Sequence, residues 1–328
     1  MNSLKDSRIL ITGGAGLIGS HIADRLAEED VAEVVILDNF VRGQRENLAD
    51  AAKRLRTLTI IEGDITNPAT VRDAMQGIDY VFHQAALRIT QCAEMPRTAV
   101  DSLIGGTFNV LEAAVEQGVK KVVAASSASV YGEASYVPMD EAHPFNNRTL
   151  YGACKVSNEQ VLRSFNDMYG LPYVALRYFN VYGPRMDAWG VYTEVMIRWL
   201  QRLEEGKAPI IFGDGLQTMD FIFVRDIADA NVLAMLSETS DTVCNVATGV
   251  ETSLAELCSA LCAAAGRADL EPIFEAARKV NPVTRRLGAT EHAWEAIGFK
   301  SSTVLGDGLR ELVEWFATLP KLELAAAR

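Results

Sequence analysis

Ile9-Leu10-Ile11-Thr12-Gly13-Gly14-Ala15-Gly16-Leu17-Ile18-Gly19 decides the fold of this 328-residue chain. An apolar run leads straight into glycines at a three-residue spacing (Gly13, Gly16, Gly19), a turn tight enough for a strand to feed a helix whose first N–H groups face outward. A helix N-terminus of that kind binds a diphosphate. By itself the pattern is weak, because it arises by chance in about one chain in ten of this length at ordinary glycine content. Its setting strengthens it: the next apolar run, Val34-Val35-Ile36-Leu37, ends in Asp38, where a carboxylate can accept hydrogen bonds from a ribose diol.

Outward from this junction, apolar β-branched runs at 9–12, 34–38, 58–62, 80–83, 122–126 and 173–178 alternate with amphipathic segments at 21–29, 69–75, 107–117 and 152–168. This rhythm predicts an α/β fold with a Rossmann-type doubly wound parallel sheet. Beyond Tyr178, Gly183-Pro184, Gly190 and Gly213-Asp214-Gly215 break the pattern into shorter pieces, and 221–236 again reads as strand then helix. The expected organisation is a nucleotide-binding part over 1–180 with a return segment at about 219–248. A smaller interleaved C-terminal α/β substrate domain takes 181–218 and 249–320, and 321–328 form a tail.

The 31 basic and 43 acidic residues give a net charge of −12, which repels nucleic acid and anionic membranes. An anionic ligand must therefore be held locally. No apolar run approaches the roughly 20 residues that cross a bilayer, and the opening Met1-Asn2-Ser3-Leu4-Lys5-Asp6 carries no secretory pattern, so a cytoplasmic protein is expected. The five cysteines make no C-x-x-C pair and the four histidines are scattered, so no metal site is expected. Cys258 and Cys262 read as one buried helix face.

Tyr151 and Lys155 stand four apart on a predicted helix and share a face, the one Y-x-x-x-K in the chain. The strand at 122–126 runs into Ser127, at the carboxyl edge where such sheets place ligands. A phenol of pKa about 10 becomes a base near neutrality only with about 4 kcal/mol of preferential phenolate stabilisation. An adjacent ammonium and a positively charged nicotinamide are the expected sources, with Ser127 relaying the proton of a substrate hydroxyl to Tyr151.

Residues 12–19, Gly63-Asp64-Ile65, His83-Gln84-Ala85-Ala86, Ser126-Ser127-Ala128-Ser129-Val130-Tyr131-Gly132, Tyr151-x-x-x-Lys155, Arg177-Tyr178-Phe179-Asn180-Val181-Tyr182-Gly183-Pro184 and Gly306-Asp307-Gly308-Leu309-Arg310 together resemble an extended short-chain dehydrogenase/reductase. Within that group the chain most resembles the NAD-dependent nucleotide-sugar epimerase/dehydratase family, above all its UDP-sugar 4-epimerases. The resemblance implies NAD as cofactor, with Gly13, Gly16, Leu17, Ile18 and Gly19 at the pyrophosphate, Asp38 and Asn39 on the adenosine ribose, and Asp64 with Ile65 at adenine. Ala85, Ala86 and Arg88 line the middle of the cofactor, and Phe179 with Asn180 bridges nicotinamide and substrate. Ser127, Tyr151 and Lys155 match the catalytic triad, Tyr151 and Lys155 also touching cofactor. Asp38 favours NAD over NADP, a preference that Arg42 weakens. Substrate contacts are expected from Ser127, Asn180, Arg185, Phe212 and Arg286, and a homodimer through 107–117 and 152–168.

Family dehydratases carry an Asp-Glu pair just after the catalytic hydroxyl and decarboxylases a Glu at the second of these places, whereas this chain has Ala128-Ser129. What remains suffices for oxidation of a C4 alcohol to a ketone and its reduction, the minimum for 4-epimerisation of a UDP-linked sugar. Another reaction of the family, reductive or dehydratase-like, or one on a substrate lacking the usual diphosphate contacts, shares most of the pattern. A non-catalytic NAD-sensing module has no use for an intact Ser-Tyr-Lys set. Two expected diphosphate arginines are replaced, by Met219 in Gln217-Thr218-Met219-Asp220 and by Asn281 in Asn281-Pro282-Val283-Thr284. Arg185, Arg285 and Arg286 are the available substitutes. The stretch Leu287-Gly288-Ala289-Thr290 has no aromatic to gate the sugar's 2-substituent, which predicts acceptance of N-acetylhexosamine nucleotides.

Overall fold

The computed structural model describes residues 3–188, 194–276 and 284–320. Seven parallel strands form the main sheet: β1 (Arg8–Thr12), β2 (Glu33–Asp38), β3 (Leu58–Glu62), β4 (Tyr80–His83), β5 (Lys121–Ser127), β6 (Tyr173–Tyr178) and, after short strands β7 (Asn180–Tyr182), β8 (Ile210–Phe212), β9 (Thr218–Met219) and β10 (Phe221–Phe223), β11 (Thr242–Val246). Their order is β11-β6-β5-β4-β1-β2-β3, a doubly wound sheet whose order reverses between β1 and β4, where such sheets open a ligand crevice. The six apolar runs of the sequence fall on β1 to β6 to within a residue. β11 adds a seventh strand beside β6.

Because successive side chains alternate between faces, each strand feeds two cores. Ile9, Ile11, Val34, Ile36 and Val123 point to one, while Leu10, Val35, Leu37, Val122 and Ala124 point to the other. The first face is covered by α1 (Leu17–Leu26), α2 (Ala49–Arg54) and, from later in the chain, α9 (Val224–Leu236). The second is covered by α3 (Pro68–Met75), α6 and α7; α6 (Gly106–Glu116) follows two short helices, α4 (Ile89–Glu94) and α5 (Pro96–Val100), and α7 spans Leu150–Tyr169. The helix expected at 21–29 begins earlier, at Leu17, since the chain passes from the glycine turn into helix with Gly16 as its N-cap.

A third core joins α8 (Val195–Glu204) to helices that come later. α9 (Val224–Leu236) returns to α1, β12 (Thr252–Ser253) leads into α10 (Leu254–Ala264), and β13 (Ile273–Glu275) and β14 (Arg285–Arg286) precede α11 (Glu291–Ile297) and α12 (Leu305–Ala317). Trp199, Leu200, Leu257, Leu261, Leu309 and Phe316 fill this core, and Cys258 and Cys262 share it from one face of α10. α11 departs from the expected division, because Ala293 and Ile297 pack into the first core of the main sheet. All five cysteines are buried and unpaired. No helix among the described residues is long and apolar enough to cross a membrane.

Candidate active site

The glycine turn closes on the end of β4. Gly13 has φ +67°, and a Cβ there would stand 2.7 Å from Ala85 N and Cα; a Cβ on Gly19 would strike the Gly13 carbonyl. Gly16 caps α1 without any side-chain bond, leaving the first helical amides to a ligand. The turn opens into a cleft of about 1180 Å³ lined by Leu17, Ile18, Asp38, Asp64, Ala85 and Ala86 among others, larger than the about 300–1,000 Å³ of ordinary small-molecule pockets. A backbone cradle this tight at one end of so long a cleft fits a dinucleotide.

Most of the residues expected along the cofactor line this cleft, including Gly13, Gly16, Asn39 and Ile65. Asp38 accepts hydrogen bonds from Ala15 N and Phe40 N, both at 2.9 Å, so it fastens the turn as well as facing the cleft. Asn39 Nδ2 donates to Asp64 Oδ2 at 2.7 Å. Arg42 donates from Nε to Asp187 at 3.4 Å, and Arg88 lies 3.5 Å from Glu194, so both guanidiniums meet acids brought in from the second half of the chain. The sequence pattern did not announce that clasp. Nor did it show the C-terminal residues Trp315, Thr318 and Leu319 on the cleft wall.

Beneath the turn runs a buried chain of polar side chains. Thr107 Oγ1 donates to Leu103 O at 2.6 Å and therefore accepts from His83 Nε2 at 2.9 Å, which leaves His83 Nδ1 to accept from Thr12 Oγ1 at 2.7 Å. The imidazole is neutral: burial, with the charge of Lys155, pushes it down to about 3. A second buried set joins Tyr178 Oη to Gln84 Oε1 and Asn231 Oδ1, both at 3.0 Å, tying α9 to the loop after β4.

Ser127 ends β5, and Tyr151 and Lys155 rise one turn apart from the N-terminus of α7, where Thr149 Oγ1 caps Gly152 N at 3.1 Å. The Ser127 hydroxyl faces the Tyr151 phenol closely enough to favour its ionisation, and it accepts Ser129 N at 3.1 Å. Lys155 Nζ donates to Ala125 O at 2.7 Å and stands 5.8 Å from the centroid of the Tyr151 ring. Lys155 is buried and Tyr151 partly so, and desolvation works against both charged forms. Burial pushes the phenol up to about 12, opposed by the Ser127 hydroxyl and the charges of Arg286 and Arg42. Burial also lowers Lys155 to about 8, opposed by Glu159. The expected sources of phenolate stabilisation are the ammonium and the nicotinamide charge together; among the protein's own groups desolvation outweighs the neighbours, and Lys155 donates to a carbonyl rather than to the phenol.

Glu159, a turn beyond Lys155, anchors this corner. It receives Arg177 Nε at 2.9 Å and Nη2 at 2.7 Å, and Ser126 Oγ at 2.5 Å. Arg177 Nη1 in turn donates to Tyr131 Oη at 2.9 Å.

Of the expected substrate residues, Asn180 opens β7 with a buried Oδ1 that has no partner. The ring of Phe179 is buried and packs against Tyr131. Phe212 ends β8 opposite Glu275. Arg185 is held on the α1 side of the cleft, 2.7 Å from Asp24 and 3.5 Å from Asp50, and Arg285 grips Glu251 through two bonds of 2.6 and 2.8 Å. Neither is left for a phosphate. Arg286 makes no ion pair among the described residues, and its strand partner in register is Met219. Asn281 lies outside the described residues, as do Gly190 and the 321–328 tail. In the aromatic-free stretch 287–290, a Cβ on Gly288 would meet Ala247 Cβ at 2.6 Å and Phe179 Cζ at 2.8 Å, so the backbone packs closely on both and leaves no free space at that position.

The sequence profile of the NAD dependent epimerase/dehydratase family matches residues 9–247. The chain is 36% identical over 309 residues to a putative UDP-glucose 4-epimerase of Methanocaldococcus jannaschii, covering 94% of this chain and 97% of the relative. Among solved structures it is similar to the UDP-N-acetylglucosamine 4-epimerase of Methanobrevibacter ruminantium in complex with UDP-N-acetylmuramic acid (35% identity, TM-score 0.89, 96% of this chain and 99% of that one). It is also similar to the UDP-glucose 4-epimerase of Thermotoga maritima with UDP-glucose (34% identity, TM-score 0.88, 94% and 98%).

Proposed function

The chain belongs to the NAD-dependent epimerase/dehydratase family, and on that premise we propose that it is an NAD-dependent 4-epimerase of a UDP-linked sugar. The observation that carries this reading is the meeting of Ser127, Tyr151 and Lys155 at one corner with no acid at positions 128 and 129. Ala128 is buried in the core, and the Ser129 amide is taken by Ser127. Such a site can move one proton on and off one hydroxyl. Elimination of water needs a further acid and base, which positions 128 and 129 do not supply.

The glycine turn with Leu17 and Ile18 holds the cofactor pyrophosphate, Asp38 and Asn39 the adenosine ribose, and Asp64 with Ile65 the adenine. NAD, when bound, would supply a hydride acceptor and donor and, in its oxidised form, a positive charge. Tyr151 takes the proton of the sugar C4 hydroxyl, and Ser127, facing the same phenol, bridges the two oxygens. Lys155, pinned to Ala125 O, supplies positive charge near the ring. Asn180, with its unpartnered Oδ1, binds a donor group of the substrate as the keto sugar turns over. Residues 1–180 with about 219–248 form the cofactor part in this reading, and the remainder the substrate part.

A cytoplasmic homodimer fits the same scheme. Phe108 on α6 and Met168 and Tyr169 at the end of α7 are large apolar side chains left exposed on adjoining helices. The test of function is direct. Protein incubated with UDP-glucose, UDP-N-acetylglucosamine and their acidic analogues, with products followed by NMR, gives C4 epimers without net NADH; accumulation of NADH, or loss of water, overturns the proposal.

A further inference from the structure

Arg286 is 8% exposed, and burial pushes its guanidinium down to about 10. Its Nε is buried without a hydrogen-bond partner, and among the described residues the side chain makes no ion pair. The nearest acid, Glu133, is exposed and accepts the Thr284 hydroxyl at 2.7 Å. A buried, unpaired cation destabilises a fold by several kcal/mol unless a ligand brings the missing charge. Two residues before it Thr284 bonds Glu133, in the loop that follows Ser127, and two residues after it Gly288 lies against the Phe179 ring, so the missing anion belongs at the reacting end of the site.

We infer that the sugar handled here carries a carboxylate next to its reacting carbon, a UDP-hexuronate, and that Arg286 is the residue that receives it. This inference rests on the 4-epimerase reading. With C4 of a pyranose at Tyr151, the diphosphate hangs from C1 across the ring, whereas C6 is attached to C5, the neighbour of C4. Oxidising C6 to a carboxylate places an anion beside the phenol while adding almost no bulk. The planar fork of arginine matches a carboxylate with two parallel N–H bonds. The competing source of charge is the diphosphate itself, since Arg286 stands in register with Met219. The two sources separate experimentally.

Initial rates on UDP-glucuronate and UDP-glucose are compared for the wild type, Arg286→Gln and Arg286→Lys, with binding of both nucleotides measured by calorimetry. The wild type prefers the uronate. Arg286→Gln loses about a hundredfold more in kcat/KM and affinity on the uronate than on UDP-glucose, the size expected for truncating one partner of a buried charge pair; Arg286→Lys recovers part of that extra loss. Equal losses on both nucleotides assign Arg286 to the diphosphate and overturn the inference. So does a wild type that epimerises UDP-glucose and leaves the uronate untouched. Failure to epimerise any sugar nucleotide, with NAD bound, overturns the epimerase reading instead. Unchanged NAD content in both variants confirms that they fold.

Discussion

The reactivity of Tyr151 depends on what surrounds a single oxygen. Replacing it with Phe removes the proton acceptor but none of the cleft wall, so we expect a fall in turnover of about a hundredfold or more with NAD content unchanged. Equal activity in Tyr151→Phe places the base elsewhere. Two histidines make a second residue-scale prediction. Burial, with the Arg185 charge, lowers His21 to about 3, and burial with the Lys155 charge does the same to His83. Both bind a proton in the unfolded chain below about 6.5 but not in the fold. The unfolded state therefore holds more protons through the window from about 6.5 to 3, and stability falls as pH drops through it. Each histidine contributes about 2 kcal/mol of that loss at pH 5. Urea midpoints at pH 7 and pH 5 measure it, and the pH dependence should be shallower in His21→Asn whatever that variant's absolute stability. An equally steep profile counts against His21 as a source.

At the scale of elements, the catalytic corner is the meeting of β5, β6 and α7, and the Glu159–Arg177 pair locks it. Both side chains are 3% exposed. Glu159→Gln leaves Arg177 without its bidentate acceptor and frees Ser126, beside the catalytic Ser127. Removing one member of a buried pair destabilises by about 3–5 kcal/mol, so the denaturation midpoint should drop clearly. The same change removes the acid that favours the Lys155 ammonium. The alkaline limb of the rate profile should therefore shift to lower pH, a response that loosened packing alone does not give. Arg177 and Glu159 were invisible as a pair in the sequence, 18 residues apart on a strand and a helix. A Y-x-x-x-K-x-x-x-E reading of α7 was the available signal, because a third position four residues on lies on the same helical face.

For the whole molecule, the α6–α7 surface is the interface we propose for a homodimer. Phe108 is 45% and Met168 67% exposed, and the Phe108 ring meets Phe165 edge-on at 5.4 Å between centroids. Light scattering at micromolar concentration should report a dimer for the wild type and a monomer for Phe108→Arg; a monomeric wild type rules this interface out. The sequence by itself determined the parallel sheet and the glycine turn at its switch point, and singled out the Ser127, Tyr151 and Lys155 set that carries the proposed chemistry, because each rests on local periodicity or short spacing. Strand runs at 58–62, 80–83 and 173–178 coincide with β3, β4 and β6 for that reason. Only the tertiary structure decided which arginines are available. Arg185, Arg285 and Arg286 look alike in sequence, yet Asp24 and Glu251 take the first two, and the third is buried without an ion pair among the described residues. It also turned Gly288 from a presumed opening into a packing contact. Charge pairing and close packing depend on residues distant in the chain, and their partners are fixed only when the strands and helices have met.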